Sequence, residues 1–259
     1  MSAPPDPTAM LLRSFCLTTM AGQYEVVMQR AEKDGWSHRQ VLRHLCEIEA
    51  IERSQKRTAR LLAESGLPES KTLSTLDEAL LPPKVQRQLS ALIEGSFVDR
   101  SVNVLAFGLP GRGKTHFLAA LGRELILRHS KRVLFRPAFK LVGQLLAAKR
   151  DLRLEQELKK LDRFDVLILD DIGYVQQSRE EMEVLFTLLA ERYERRSLLI
   201  SSNLVFSQWD KIFKDPMTTM AAIDRLVHHS IILEFDGASQ RVKKAGENVG
   251  EKVPKPEAG

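Results

Sequence analysis

The sequence predicts an α/β fold built on a buried, mostly parallel sheet, preceded by a small helical domain. Three observations carry this. From residue 101 onward, short apolar β-rich runs alternate with helical patterns, the layout of chains whose crossover helices cover both faces of a parallel sheet. A glycine-rich loop stands between the first of those strands and the first of those helices. A later apolar run, VLILDD over residues 166–171, ends in two carboxylates, which puts polar groups at the carboxyl end of a buried strand.

The helical part comes first. Residues 9–33 hold apolar positions at mixed three and four spacing, among them Leu12, Met20, Val27 and Ala31, and predict one helix that stops at Gly35. A second helix starts at Ser37 and runs to Leu62. Ser37 and Gln40 fit a capping box, and Trp36 and Val41 stand at the positions of a hydrophobic staple. Residues 64–76 form a connector rich in turn formers. Pro82 and Pro83 then lead a short helix near 84–94.

In the second part, strands are expected over 102–107, 132–136, 164–169, 197–201 and 231–235. Helices are expected over about 114–129, 138–161, 179–195 and 217–228. The tail, 243–259, has no apolar periodicity and is expected to be disordered.

Composition excludes several classes. The chain has 259 residues, 43% hydrophobic and 28% charged, close to the globular average. No apolar run reaches the roughly 18 residues a membrane span needs. The opening MSAPPDPTAM has no basic segment leading an apolar core, so it does not read as a secretory signal. Cys16 and Cys46 stand far from any metal-spaced partner and are expected as reduced, semi-buried residues of a cytoplasmic protein. The net charge is +5. The first hundred residues carry equal numbers of basic and acidic side chains, so the excess lies wholly in the remainder. A balance this mild permits an anionic partner without requiring one.

The glycine-rich loop, GLPGRGKT, matches G-x-x-x-x-G-K-[ST] in full: Gly108, Leu109, Pro110, Gly111, Arg112, Gly113, Lys114 and Thr115. Its glycines let successive N–H groups turn inward toward phosphate oxygens, and the following helix adds the partial positive charge of its N-terminus. Lys114 is expected at the β- and γ-phosphates and the Thr115 hydroxyl on Mg²⁺. His116, next in line, reads as a helix-packing or phosphate-edge residue.

Beside this loop, Asp170 would hold Mg²⁺ and Asp171 would orient the attacking water. Two aspartates capping the next loop are the alternative. One extra strand, 132–136, separates the two motifs, and neither a nucleotide-kinase lid nor a guanine-reading N-K-x-D occurs. Asn203 follows the strand 197–201 and could bond the γ-phosphate or the attacking water; closing a turn is its other reading. Arg225 precedes the last strand and could reach a neighbouring subunit's γ-phosphate. On physical grounds alone, an ion pair with Asp224 or Glu234 suits it better. His228 and His229 have no third ligand nearby in the sequence, so no metal role is expected of them.

Two basic clusters could meet DNA phosphates. Arg53, Lys56, Arg57 and Arg60 fall at i, i+3, i+4 and i+7, on one helical face. Pairing of Glu49 with Arg53 and of Glu52 with Lys56 is the equally open alternative. Arg136, Lys140, Lys149 and Arg150 follow the second strand, with acidic residues interspersed. No recognition-helix or zinc-finger signature appears, so backbone and shape contacts are expected rather than base reading.

The series GLPGRGKTH, VLILDDIGY, ERYERRSLLISSNLVFSQWDKIF and AAIDRLVHHS resembles the IstB family of insertion-sequence transposition helper ATPases. The resemblance implies an AAA+ domain over 96–242 with a five-stranded parallel sheet of order 5-1-4-3-2. It implies a helical N-terminal domain over 1–95 in front and the tail 243–259 behind. It also implies ATP and Mg²⁺ as cofactors, an active site at a subunit interface, Asn203 as the nucleotide sensor and Arg225 as the arginine finger. The implied partners are double-stranded DNA, further copies of the chain and an IstA-type transposase, with no membrane. The related helicase loaders, and a nucleotide-gated scaffold whose turnover is incidental, are the competing functions. Arg112 stands where the family usually has a small residue or Thr, and the segment TLDEALLPPKVQRQL lacks the family's aromatic signature before the first strand.

Overall fold

A computed structural model of the chain describes residues 6–174, 178–204 and 226–236. Arg225, most of the helix expected over 217–228, and the tail 243–259 lie outside the described residues. The chain divides into two compact units, Met1–Arg60 and Leu61–Gly259.

The first unit is helical. It contains α1 (Pro7–Ser14), α2 (Thr18–Asp34) and most of α3 (His38–Ser65). The single helix expected over 9–33 is therefore two. The break falls at Cys16, whose φ of 58° is left-handed, while the Leu17 N–H reaches back to the Leu12 carbonyl. Gly35 ends α2 in the left-handed conformation, as expected. The capping box is present. The Ser37 N–H donates to Gln40 Oε1 at 2.7 Å and the Gln40 N–H to Ser37 Oγ at 3.4 Å. Trp36 and Val41 pack against the small core of Met20, Val27 and Leu45. Cys16 and Cys46 are both exposed, against the expectation of semi-burial. Cys16 sits in the turn, and the buried face of α3 is taken by Leu45 and Glu49.

Glu49 has a structural task that its sequence position does not suggest. Leu17 gives α2 no side-chain cap. Instead the buried Glu49 carboxylate on α3 accepts from the Thr19 N–H at 2.9 Å and the Met20 N–H at 3.0 Å. Arg53 then donates Nε–H to Glu49 at 2.7 Å and a second N–H to the Cys16 carbonyl at 2.6 Å. Burial alone would raise the Glu49 pKa; the bonds from Met20, Arg53 and Thr19 overcome it and hold it below the ordinary 4.5. A lowered carboxylate pKa stabilises the fold above pH 4.5 and stops doing so as pH falls through the folded value. Glu49→Ala is expected to cost about 1–3 kcal/mol, because it strands two helix-end donors. Native-state hydrogen exchange across α2 would read this loss. The parent's own protection there should fall below about pH 4.5 while that of the variant changes less.

The second unit is a three-layer α/β/α domain. Its strands are β1 (Asn103–Phe107), β2 (Val133–Pro137), β3 (Val166–Asp170), β4 (Ser197–Ser202) and β5 (Ser230–Glu234). All pairings are parallel, in the order β2-β3-β4-β1-β5, which is the expected order read from the other edge. Alternate strand residues face opposite layers. Val104, Ala106, Ile168 and Leu199 join one core with α4 (Pro83–Ile93) and α6 (Lys114–His129). Leu105, Phe107, Leu167 and Ile200 join the other with α7 (Ala138–Arg150) and α9 (Arg179–Arg192).

Residues 61–95, expected with the N-terminal helices, lie in this second unit. The reason is the apolar face of α4: Val85, Leu89 and Leu92 are buried against the sheet's first core. Between α4 and β1 the chain makes the one-turn α5 (Ser96–Asp99). The single helix expected over 138–161 is also two. Leu152, 94% exposed, takes a φ of 57°, and the Arg153 N–H caps the Ala148 carbonyl before α8 (Leu154–Leu161) begins. Among the described residues, no helix is long and apolar enough to cross a membrane.

Candidate functional site

The strand order decides where the chemistry can gather. β4 lies between β1, which runs into the glycine-rich loop, and β3, which ends in Asp170. The three carboxyl ends therefore sit side by side, and the two sequence motifs, 62 positions apart at Asp170 and Gly108, share one edge of the sheet.

The loop is held from below. The Gly108 N–H donates to the Ser202 carbonyl at 3.2 Å, and the Phe235 N–H donates to the Phe107 carbonyl at 2.7 Å. Gly108 has a φ of 147°, and a Cβ there would collide with the Phe235 carbonyl oxygen, so this position needs glycine. Gly113 caps α6 in the left-handed region. Arg112 donates to the Phe235 carbonyl at 3.2 Å, so its guanidinium fastens the loop to the end of β5. Leu109 and Pro110 are exposed at the loop's crest, while Gly111 and Thr115 are half-buried.

Lys114 is 5% exposed, and its ammonium donates to the Gly108 carbonyl at 2.6 Å and the Leu109 carbonyl at 3.0 Å. The cation is thus pinned at the loop's centre by groups that are themselves part of the loop. His116 does not stand free at the phosphate edge. Its Nε2 lies 3.1 Å from the Thr72 carbonyl oxygen and 3.1 Å from Thr75 Oγ1. A carbonyl only accepts, so Nε2 carries the proton, and the first turn of α6 is tied to the 72–75 turn.

The acidic side is organised by a residue that sequence reading noticed only as a strand end. Ser201, fully buried, donates its hydroxyl to Asp170 Oδ1 at 2.7 Å and accepts the Asp171 N–H at 2.8 Å. One hydroxyl thereby orients one aspartate's carboxylate and the next one's backbone. Asp171 takes a φ of 57°, which turns the chain sharply after β3. The signal for Ser201 lies in register: Leu169 pairs with Ile200, so the next residues of β3 and β4 stand side by side.

Asn203 follows β4 directly. Its amide oxygen is buried and has no hydrogen-bond partner among the described residues. It points over Gly173, where a Cβ would overlap that oxygen. A buried amide oxygen with no partner among the described residues, beside the aspartates and the loop, is what a ligand-sensing side chain would offer.

The candidate DNA residues fare unevenly. In the first unit Arg53 is committed to Glu49 and Cys16, and Lys56 pairs with Glu52 at 3.2 Å. Arg57 is exposed, and Arg60 makes an interaction of its own. In the second unit Arg136 donates to the Phe135 carbonyl at 2.8 Å and packs under Gly66. Lys140 lies over the exposed Phe139 ring, 6.0 Å from its centroid. Lys149 pairs with Glu183 at 2.6 Å and Arg150 with Glu180 at 3.3 Å. Arg225 lies outside the described residues. Glu194, at the turn after α9, stands beside both His228 and His229.

A five-stranded parallel sheet of this order, with a phosphate-type loop after β1 and paired aspartates at the end of β3, defines an AAA+ P-loop ATPase. Solved structures with the same fold include the DnaC helicase loader, 16% identical with a TM-score of 0.51 over 68% of this chain and 99% of that one. DnaI is 21% identical with a TM-score of 0.54, over 66% and 96%. Within that class, the chain belongs to the IstB-like ATP binding protein family, whose pattern matches residues 10–248. An insertion-sequence ATP-binding protein of Sinorhizobium fredii is 41% identical over 92% of this chain and 80% of its own length. That of IS21 in Pseudomonas aeruginosa is 38% identical, over 90% and 88%. The protein is an ATPase of the insertion-sequence-associated type.

Proposed function

We propose that this chain assembles on double-stranded DNA in an ATP-dependent way, remodels the target and recruits a transposase of the IstA type. Its cytoplasmic work would end when ATP hydrolysis resets the assembly. The observation that carries the reading is the convergence of Lys114, the Asp170–Ser201–Asp171 bridge and the buried Asn203 amide oxygen at one sheet edge. These groups match the needs of phosphoryl transfer: a cation for the phosphates, a carboxylate for the metal, a second for the water and a polar sensor.

In this reading the backbone N–H groups from Gly111 to Gly113 and the Lys114 ammonium bind the β- and γ-phosphates. Thr115 and Asp170 hold Mg²⁺, which would neutralise developing phosphate charge. Asp171 orients the attacking water and Asn203 bonds the γ-phosphate side. Arg225 reaches the site of a neighbouring copy, which makes the active site an interface property. The helical N-terminal region serves assembly or contact with DNA or transposase. DNA phosphates would be met by Lys56, Arg57 and Arg60, and by Lys140, Lys149 and Arg150. The ion pairs that Lys149 and Arg150 make are exposed, worth about 0–1 kcal/mol each, so exchange for phosphate costs little. Arg53 and Arg136 serve the fold first.

The test is assembly itself. With ATP and Mg²⁺ the purified protein should form large complexes on duplex DNA in sedimentation or electron microscopy, and none without nucleotide. Those complexes should weaken steeply with salt. Monomers on DNA regardless of ATP would remove the proposal, and a strong preference for single strands would shift it toward a helicase loader.

A further inference from the structure

We propose that Glu194, His228 and His229 form a binding site for a divalent transition-metal ion of the zinc class. The site lies at the amino ends of the strands, across the sheet from the phosphate loop. One ligand atom from each of the three residues lies within 4.8 Å of the other two. His229 Nε2 and Glu194 Oε1 are already 3.1 Å apart. Around a tetrahedral zinc with bonds of about 2.0–2.1 Å, ligand atoms stand roughly 3.3 Å from one another. One pair meets that spacing as it stands, and His228 offers a nitrogen within 4.8 Å of both.

The donor chemistry selects the metal. Two imidazoles and one carboxylate suit zinc, and equally its neighbours cobalt and nickel, rather than the oxygen-seeking Mg²⁺ or Ca²⁺. Three protein ligands also leave an open position.

The backbones that carry these ligands are fixed from elsewhere in the fold. The His229 carbonyl accepts the Asn103 N–H at 2.8 Å. The buried Asn103 side chain donates to the Leu226 carbonyl at 3.4 Å and accepts the Leu198 N–H at 2.8 Å, so Asn103 as a whole holds residues 226 and 229 and ties them to β4. Glu194 takes a left-handed φ of 55°, rare for a residue with a long side chain. The neighbouring cations are occupied: Arg195 pairs with Asp162 and Glu191, and Arg196 with Asp165. That leaves the Glu194 carboxylate to the histidines. Tyr193 meets the His229 ring edge-on, with centroids 6.3 Å apart. All three ligands are at least partly exposed, so an ion can enter.

A bound ion would fasten the end of α9 to the residues that follow Arg225 in the chain. The proposal does not depend on the nucleotide chemistry and is tested apart from it. Nucleotide-free full-length protein carrying C16S and C46S, which removes the two exposed thiols, is titrated with Zn²⁺ by calorimetry. Co²⁺ serves as an optical probe of the ligand set. One equivalent should bind, and each of E194Q, H228A and H229A should weaken it at least tenfold. E194Q is the discriminating variant, because it preserves shape and removes a single ligand charge. Circular dichroism confirms that each variant folds. Stoichiometric binding unchanged in all three variants, or no binding by the parent, would overturn the assignment.

Discussion

Lys114→Ala is expected to weaken ATP binding by about 30- to 1,000-fold, or roughly 2–4 kcal/mol, the range for losing charge-assisted hydrogen bonds in a buried setting. The structure gives this loss two parts. The ammonium that would meet the phosphates disappears. In addition, the Gly108 and Leu109 carbonyls it holds at 2.6 and 3.0 Å lose this charged donor, which loosens the loop itself. Alanine is a good helix former, so α6 itself should persist. Calorimetric titration with a non-hydrolysed ATP analogue reads the change, with circular dichroism as the control for folding. Affinity within threefold of the parent would show that the loop backbone does this work without its lysine.

Asp171→Asn should separate binding from turnover. Nucleotide affinity is expected to stay within a few-fold, while hydrolysis falls by about 10²–10⁴, the usual contribution of a positioned acid–base group. The substitution is clean for a structural reason. Asp171 sits at a φ of 57°, a conformation that asparagine also tolerates, and its backbone N–H, which the substitution keeps, is anchored to Ser201. Charge is therefore removed with the turn left intact. Phosphate release under saturating ATP is the measurement. Unimpaired turnover would move the water-orienting role away from Asp171. Intact loading of the variant on DNA would favour a scaffold whose turnover is incidental.

Much of this was legible in the residues, for reasons that are local. Buried parallel strands are short apolar runs, so all five were found within about two residues. Each of the two motifs is an unbroken stretch of sequence and so was readable without the fold. Two expectations failed where a helix breaks without glycine or proline. Cys16 and Leu152 are ordinary residues that take left-handed turns between two helices, and no residue type announces that. Other features depend on partners far away. Glu49 caps a helix 30 residues earlier, which reassigns Arg53 from a phosphate candidate to a support for the turn at Cys16. Ser201 became more than a strand end only when β4 was set beside β3. Glu194 gained two histidine neighbours only when β5 joined the sheet next to β1.

The fastening of the phosphate loop to Phe235 bears on how the protein comes to fold. The loop begins at Gly108, yet two of its anchors, the Phe107 and Arg112 contacts, end on a residue more than 120 positions later. Contacts of such sequence separation form late, because the intervening chain must first lose its freedom. During synthesis the loop's own residues are thus made long before they can hold their final shape. The loop's shape therefore depends on β5 standing beside β1, and not on the glycine-rich segment alone.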